Sequence, residues 1–207
     1  MKNNQPLVSV IMNCYNSDTY LREAIDSVIT QSYQNWEIIF WDNQSTDTSA
    51  NIIASYNDQR IKYFYAPEHT ILGEARNLAL TQVSGQLIAF LDCDDLWEEQ
   101  KLELQVQTFI HDQNIALVYT NYWSFNQTKM QKTKALKGNT IEGYGDVTFK
   151  KLLLKYPIGM STVMISFNKL QLLNEWFDPH LRLTEEFDLF LRISYNGKIK
   201  YINAPLM

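Results

Sequence analysis

The sequence predicts an α/β fold: a central, mostly parallel twisted sheet with helices on both faces. Two observations carry this. Between residues 7 and 120, short apolar runs alternate with amphipathic segments of helical spacing, strand then helix, through five strands. The 207 residues are also 45% hydrophobic and 20% charged, enough apolar material for a core and too little charge for disorder. That length suits one domain, or one domain with a small appendage.

Residues 7–12 read as a buried strand. Ser17 and Asp18 then offer N-cap oxygens to a helix whose apolar positions Leu21, Ala24, Ile25, Val28 and Ile29 recur at helical spacing. A strand at 36–41 is followed by a helix at 48–56, and a third strand by its composition at 61–65. Residues 73–83 are helical, with Ala75, Leu78, Ala79 and Val83 on one face. A strand at 86–91, a helix at 98–110 with Leu102, Val106 and Phe109 inward, and a strand at 115–120 complete the alternation. Right-handed crossovers place the strand-to-helix loops along one sheet edge, where open α/β sheets bind ligands.

After Asn121 the rhythm breaks. Residues 126–148 are polar, with Lys129, Lys132, Lys134 and Lys137 and no clear period, and read as a loop. Helices at 148–155 and 185–195, the latter stopped by Asn196 and Gly197, with strands at 162–167 and 200–203, make an α+β second half.

A net charge of −5 argues against a nucleic-acid partner, which needs a basic footprint. Cys14 and Cys93, the only cysteines, lie within or beside strands; this speaks against a disulfide framework and for a reducing cytoplasm. Residues 1–6 are polar and unlike a signal peptide, and no apolar run approaches the roughly 20 residues of a membrane span. A soluble chain able to touch a membrane is the expectation.

Glycine-loop nucleotide motifs, H-E-x-x-H, C-x-x-C and G-x-S-x-G are all absent from the sequence, so phosphates bound here need another counter-charge. Asp92, Asp94 and Asp95 end the fourth strand. Carboxylates so close repel one another unless a cation sits among them, and hard oxygen ligands suit magnesium or manganese. The plainer alternative has Asp95 capping the next helix and the other two solvated. A second acidic cluster, residues 42–47, ends the second strand, where a turn and an N-cap are the plainer alternative.

Ser9-Val-Ile-Met-Asn-Cys-Tyr-Asn16, Trp41-Asp-Asn-Gln-Ser-Thr-Asp47, Gly73-Glu-Ala-Arg-Asn77 and, after Gly85, Phe90-Leu-Asp-Cys-Asp-Asp95 resemble in order and spacing the motifs of family-two glycosyltransferases. The resemblance covers about residues 6–205. It implies a GT-A fold and inverting transfer of a sugar from a nucleotide diphosphate, with UDP the expected carrier, to an acceptor hydroxyl. It also implies a divalent cation, Mn2+ or Mg2+. By that resemblance Asn13 and Tyr15 line the nucleotide base, Asp42 hydrogen-bonds it (usually uracil), and Arg76 lies near the donor. Asp92 contacts the ribose or metal region, and Asp94 is the direct metal ligand. Glu185-Glu186-Phe187-Asp188-Leu189 matches the family's stretch around the base: Glu186 takes the base position with one methylene more than the usual aspartate. Glu185 and Asp188, three apart, share a face suited to orienting the acceptor or the helix. The plain alternative is an acidic first turn that favours the helix dipole.

Two departures stand out: Asn13-Cys14 occupies the place of a common proline-threonine, and Asn43 that of a second aspartate. The resemblance divides one domain, 1–207, into a nucleotide-sugar half (about 1–121) and an acceptor half (about 122–207), with relatives continuing past Leu206. The implied setting is cytoplasmic, at the inner membrane face, in surface polysaccharide or glycolipid synthesis with a glycan or lipid-linked acceptor. The rival readings are a nucleotidyltransferase, which lacks here its glycine-rich loop, and an inactive nucleotide-sugar or glycan-binding module. His69, His111 and His180 read as surface or loop positions, and Trp97 and Trp123 as core rather than sugar platforms.

Overall fold

A computed structural model describes residues 5–126, 131–134 and 145–207. Its strands are β1 (Val8–Cys14), β2 (Trp36–Asp42), β3 (Ile61–Tyr65), β4 (Leu87–Phe90), β5 (Ile115–Asn121), β6 (Trp123–Asn126), β7 (Gln131–Lys134), β8 (Gly145–Val147), β9 (Val163–Ser166) and β10 (Lys198–Pro205). Helices are α1 (Asp18–Ile29), α2 (Ser49–Ala54), α3 (Leu72–Leu80), α4 (Lys101–His111), α5 (Phe149–Leu154), α6 (Phe167–Leu170) and α7 (Glu185–Asn196), with a 3-10 turn at Met160–Thr162.

Eight strands form one sheet in the order β3-β2-β1-β4-β9-β5-β10-β8, and β6 pairs with β7. The first four are mutually parallel, as is β10 with β5, whereas β9 runs antiparallel to both β4 and β5 and β8 antiparallel to β10. The mostly parallel sheet therefore holds, but β5 does not sit beside β4. A strand from the second half is inserted between them, a non-local pairing that periodicity along the chain does not encode.

Alternate residues of each central strand enter separate cores. Ile11, Ile39, Ile88 and Phe90 pack with Ala75, Ala79 and Leu80 of α3 and Leu189, Phe190 and Ile193 of α7. Val10, Met12, Ile38 and Ala89 face the other way, onto Leu21, Ile25 and Val28 of α1 and Leu102, Val106 and Phe109 of α4. Strands buried on both faces need apolar residues at every position, which is why they read as unbroken runs. Gly85 lies where the β4 entry meets β1: a Cβ there would come within 2.7 Å of Leu7 O and Ser9 N, so only glycine allows this approach.

Several local expectations are corrected. Neither Ser17 nor Asp18 caps α1 through its side chain. Instead Asp18 Oδ2 accepts from Thr48 Oγ1 at 2.8 Å, and Asp47 Oδ2 accepts from Asp18 N at 3.0 Å, tying the starts of α1 and α2 together. α4 begins at Lys101 rather than 98, so Asp95 caps nothing; its N–H closes a turn onto Asp92 O at 3.1 Å. Part of the 126–148 stretch is β-structure, with Lys132 and Lys134 on β7; Lys129 and Lys137 lie outside the described residues. Trp97 is core, as read, and donates its Nε1–H to Ser161 O at 2.8 Å.

Candidate active site

The strand ends form two neighbouring poles. At the first, β1 and β2 finish in register, Cys14 beside Asp42, and the chain turns outward from both. A cleft of about 490 Å³ opens there, lined by Asn13, Tyr15, Asn43, His69, Ala75 and Arg182 among others. Exposed Tyr15 packs against the His69 ring, centroids 4.3 Å apart, giving an aromatic mouth on which a planar base could stack. His69 Nδ1 donates to Asn43 O at 2.8 Å, since a carbonyl only accepts; this fixes the tautomer and the ring. Asn13, expected at the base, does line the cleft, and its Nδ2 is buried with no partner among the described residues.

Asn43 has a plain physical role. Its Nδ2 donates to Thr70 O at 2.8 Å while its Oδ1 accepts from Thr70 N at 3.2 Å, pinning the loop that carries His69. A carboxylate could not make the first bond, which accounts for the amide where the family has a second aspartate. Asp42 lies beneath the cleft lining, fully buried; its Oδ1 accepts from Ser45 N at 2.7 Å and its Oδ2 from the Tyr63 hydroxyl at 2.8 Å.

The second pole begins where β4 ends. Ser161 Oγ accepts the Asp92 amide at 3.1 Å, and the following turn leaves Asp94 exposed and Asp95 half-buried. Opposite stands the start of α7, entered through Thr184 in the left-handed region (φ 62°). Arg76, buried on α3, joins the two: its Nη1 donates to Glu185 Oε1 at 2.6 Å, and its Nη2 lies 3.7 Å from Asp92 Oδ1. Asp92 keeps 48% of its side chain accessible but sits in a recess walled by protein. Burial raises its carboxyl; Arg76 opposes the rise, and Asp94, Glu186 and Glu185 add to it. Burial likewise lifts Asp95 to about 6.

The acidic residues of α7 differ sharply. Glu185 is consumed by Arg76 and buried, so it holds the helix rather than an acceptor. Asp188 pairs with Arg192 one turn on at 2.7 Å, and Arg192 in turn reaches the carbonyls of Glu175 and Trp176. Glu186 is half-buried and touched only by the Tyr156 hydroxyl at 3.4 Å among the described residues. It is the carboxylate left available.

A divalent cation fits the second pole only in part. Its donor set is hard and anionic, with raised carboxyls that repel one another, yet among the described residues no three His, Cys, Asp or Glu side chains converge on one point. Such a set holds Mg2+ or Mn2+ through one or two carboxylates while a bound diphosphate supplies further oxygens. Cation affinity is therefore expected to be weak without nucleotide. Asp94→Ala should abolish the manganese dependence of UDP binding in calorimetry while leaving the thermal midpoint unchanged; unaltered dependence would reassign the ligand.

Two cleft residues carry no functional signal in the sequence. His69 occupies the loop position that its sequence context predicts, and the loop folds it against Tyr15. Arg182, exposed in the loop before α7, is the one lysine or arginine lining the cleft among the described residues. Neither carries a local pattern that could reveal it.

Residues 9–177 match a family model described as Glycosyl transferase family 2. The chain is 34% identical over 198 residues to UDP-Glc:alpha-D-GlcNAc-diphosphoundecaprenol beta-1,3-glucosyltransferase WfgD of Escherichia coli, covering 96% of this chain and 74% of that one. Among solved structures it is similar to S. aureus TarS 1–349 in complex with UDP-GlcNAc, with TM-score 0.76 and 22% identity over 96% of this chain and 56% of that one. It is also similar to the mannosyltransferase PcManGT of Pyrobaculum calidifontis in complex with GDP-Man and Mn2+, with TM-score 0.70 and 16% identity over 98% and 56%. These likenesses to solved chains speak to the fold, and this chain spans little more than half of each.

Proposed function

The chain belongs to glycosyltransferase family 2, and on that premise we propose that it transfers a sugar, with inversion and with help from Mn2+ or Mg2+, from UDP to an acceptor hydroxyl. Residues 1–121 form the donor half of this reading and 122–207 the acceptor half. The acceptor is a saccharide carried on a lipid, as the name of the E. coli relative states for that enzyme, and the setting is surface polysaccharide synthesis at the cytoplasmic face of a membrane.

The observation that carries the reading is the meeting of the β4 end and the α7 start through Arg76, which leaves one available carboxylate on α7, Glu186, facing the acidic end of β4. The base lies in the mouth formed by Tyr15 and His69, and Arg182 offers positive charge to the diphosphate. The bound cation would be held by Asp94, with Asp92 beside it, and would neutralise charge developing on the leaving diphosphate. Glu186 accepts the acceptor hydroxyl's proton as that oxygen bonds to the anomeric carbon. The bond from that carbon to the diphosphate oxygen breaks, and its electron pair leaves with UDP. Attack opposite the leaving group inverts the configuration.

Donor identity tests the reading. UDP should bind at least tenfold more tightly than GDP in calorimetry with manganese, because the E. coli relative is named for a UDP-Glc donor and Asp42 supports the loop beneath the aromatic mouth. Equal or tighter binding of GDP would overturn the uridine assignment. Release of free sugar or transfer in a panel of UDP-sugars separates an active enzyme from an inactive binding module.

A further inference from the structure

The acceptor half carries a basic, leucine-bearing corner that the site does not use. α5 buries Leu152, whereas Leu153 is 57% and Leu154 87% exposed. Helical geometry sets Lys150 and Leu154 opposite Leu152, flanked by Leu153 and Lys151. Tyr195, 75% exposed, adjoins them through an edge-on contact with Phe149, ring centroids 5.7 Å apart. Residues 148–158 contain Lys150, Lys151 and Lys155 and no acid, in a chain whose net charge is −5.

That composition discriminates among occupants. A second copy meeting this corner about a two-fold axis would set lysine against lysine. An anionic bilayer surface satisfies every part at once. The leucines enter the acyl boundary, the lysine stems lie along it with their ammonium groups on lipid phosphates, and the tyrosine sits at the interface. Charge complementarity also orients the molecule, because an acidic protein approaches an anionic surface only through its basic face.

The corner is tied to the reaction. Two residues beyond Leu154, the Tyr156 hydroxyl reaches Glu186 Oε1 at 3.4 Å, and its ring meets Phe187 edge-on at 4.6 Å. Among the described residues no helix is long and apolar enough to cross a membrane. We propose that α5, with Tyr195, docks this chain on an anionic lipid surface and so brings Glu186 to the level of the acceptor's headgroup. This rests on the reading above for the nature of the acceptor.

Co-sedimentation with vesicles of phosphatidylglycerol and phosphatidylcholine, and with phosphatidylcholine alone, tests it. The chain should bind the anionic vesicles preferentially. Leu153→Ser with Leu154→Ser should weaken binding tenfold or more, and Lys150→Gln and Lys151→Gln about fivefold each. UDP titrations of the same variants, expected to be unchanged, keep the donor assignment separate from the docking result. Failure of the unsubstituted chain to sediment, or full binding by the leucine double variant, overturns the proposal. So does a dimer in solution that the leucine substitutions dissociate, which would assign the corner to self-association.

Discussion

Glu186→Gln should lower turnover about a hundredfold or more while leaving UDP affinity within about twofold, the scale expected when a general base is removed and shape is kept. Three acidic side chains occupy the first turn of α7, and the neighbours decide among them. Glu185 is spent on Arg76, and Asp188 on Arg192, which clamps the 175–176 carbonyls. Among the described residues only Glu186 keeps its oxygens available, beside a single long contact from Tyr156. Asp188→Asn, measured in parallel, should act mainly through the placement of that loop, with a smaller loss of turnover. Near-normal turnover in Glu186→Gln would remove the base assignment, and loss of UDP binding would make Glu186 a donor contact instead. Single-turnover rates with a saturating UDP-sugar, read beside calorimetric UDP affinity, distinguish the two.

The sequence revealed what depends on local pattern and missed what depends on distant partners. β1, β2, β4 and β5 were legible because burial on both faces demands apolar residues at every position. The acidic strand ends were legible because Asp92, Asp94 and Asp95 have no reason to crowd together without a positive partner nearby. Insertion of β9 between β4 and β5 was not, since Ala89 pairs with Met164, a partner from the other half of the chain. Capping failed at Ser17 because its hydroxyl turns back to Tyr15 O at 3.1 Å. Asp42 showed the right position and not its surroundings: Tyr63, which holds one oxygen, arrives from β3. Arg182 and His69 gain their meaning only when loops far apart in sequence close on one cleft.

Arg76→Met should destabilise the fold by about 3–5 kcal/mol in urea unfolding, the cost typical of stranding one charge of a buried pair. Arg76 and Glu185 have side chains only 5% and 6% exposed, and the 2.6 Å contact between them links α3 to α7 across the floor of the site. The guanidinium also lies 5.5 Å from the Phe177 ring centroid, where methionine keeps much of the apolar contact but none of the charge. If the loss comes from the uncompensated carboxylate, adding Glu185→Gln should recover a large part of it, a double-mutant coupling that a packing defect would not show. Function should not recover in step. Asp92, already raised by burial, loses the guanidinium that draws it down, and α7 loses the tether that sets Glu186 opposite β4. The double variant is therefore expected to fold and still turn over slowly, with UDP binding less dependent on manganese. A single variant losing under about 1 kcal/mol would mean that water reaches Glu185, and the pair would then be a surface contact of little weight.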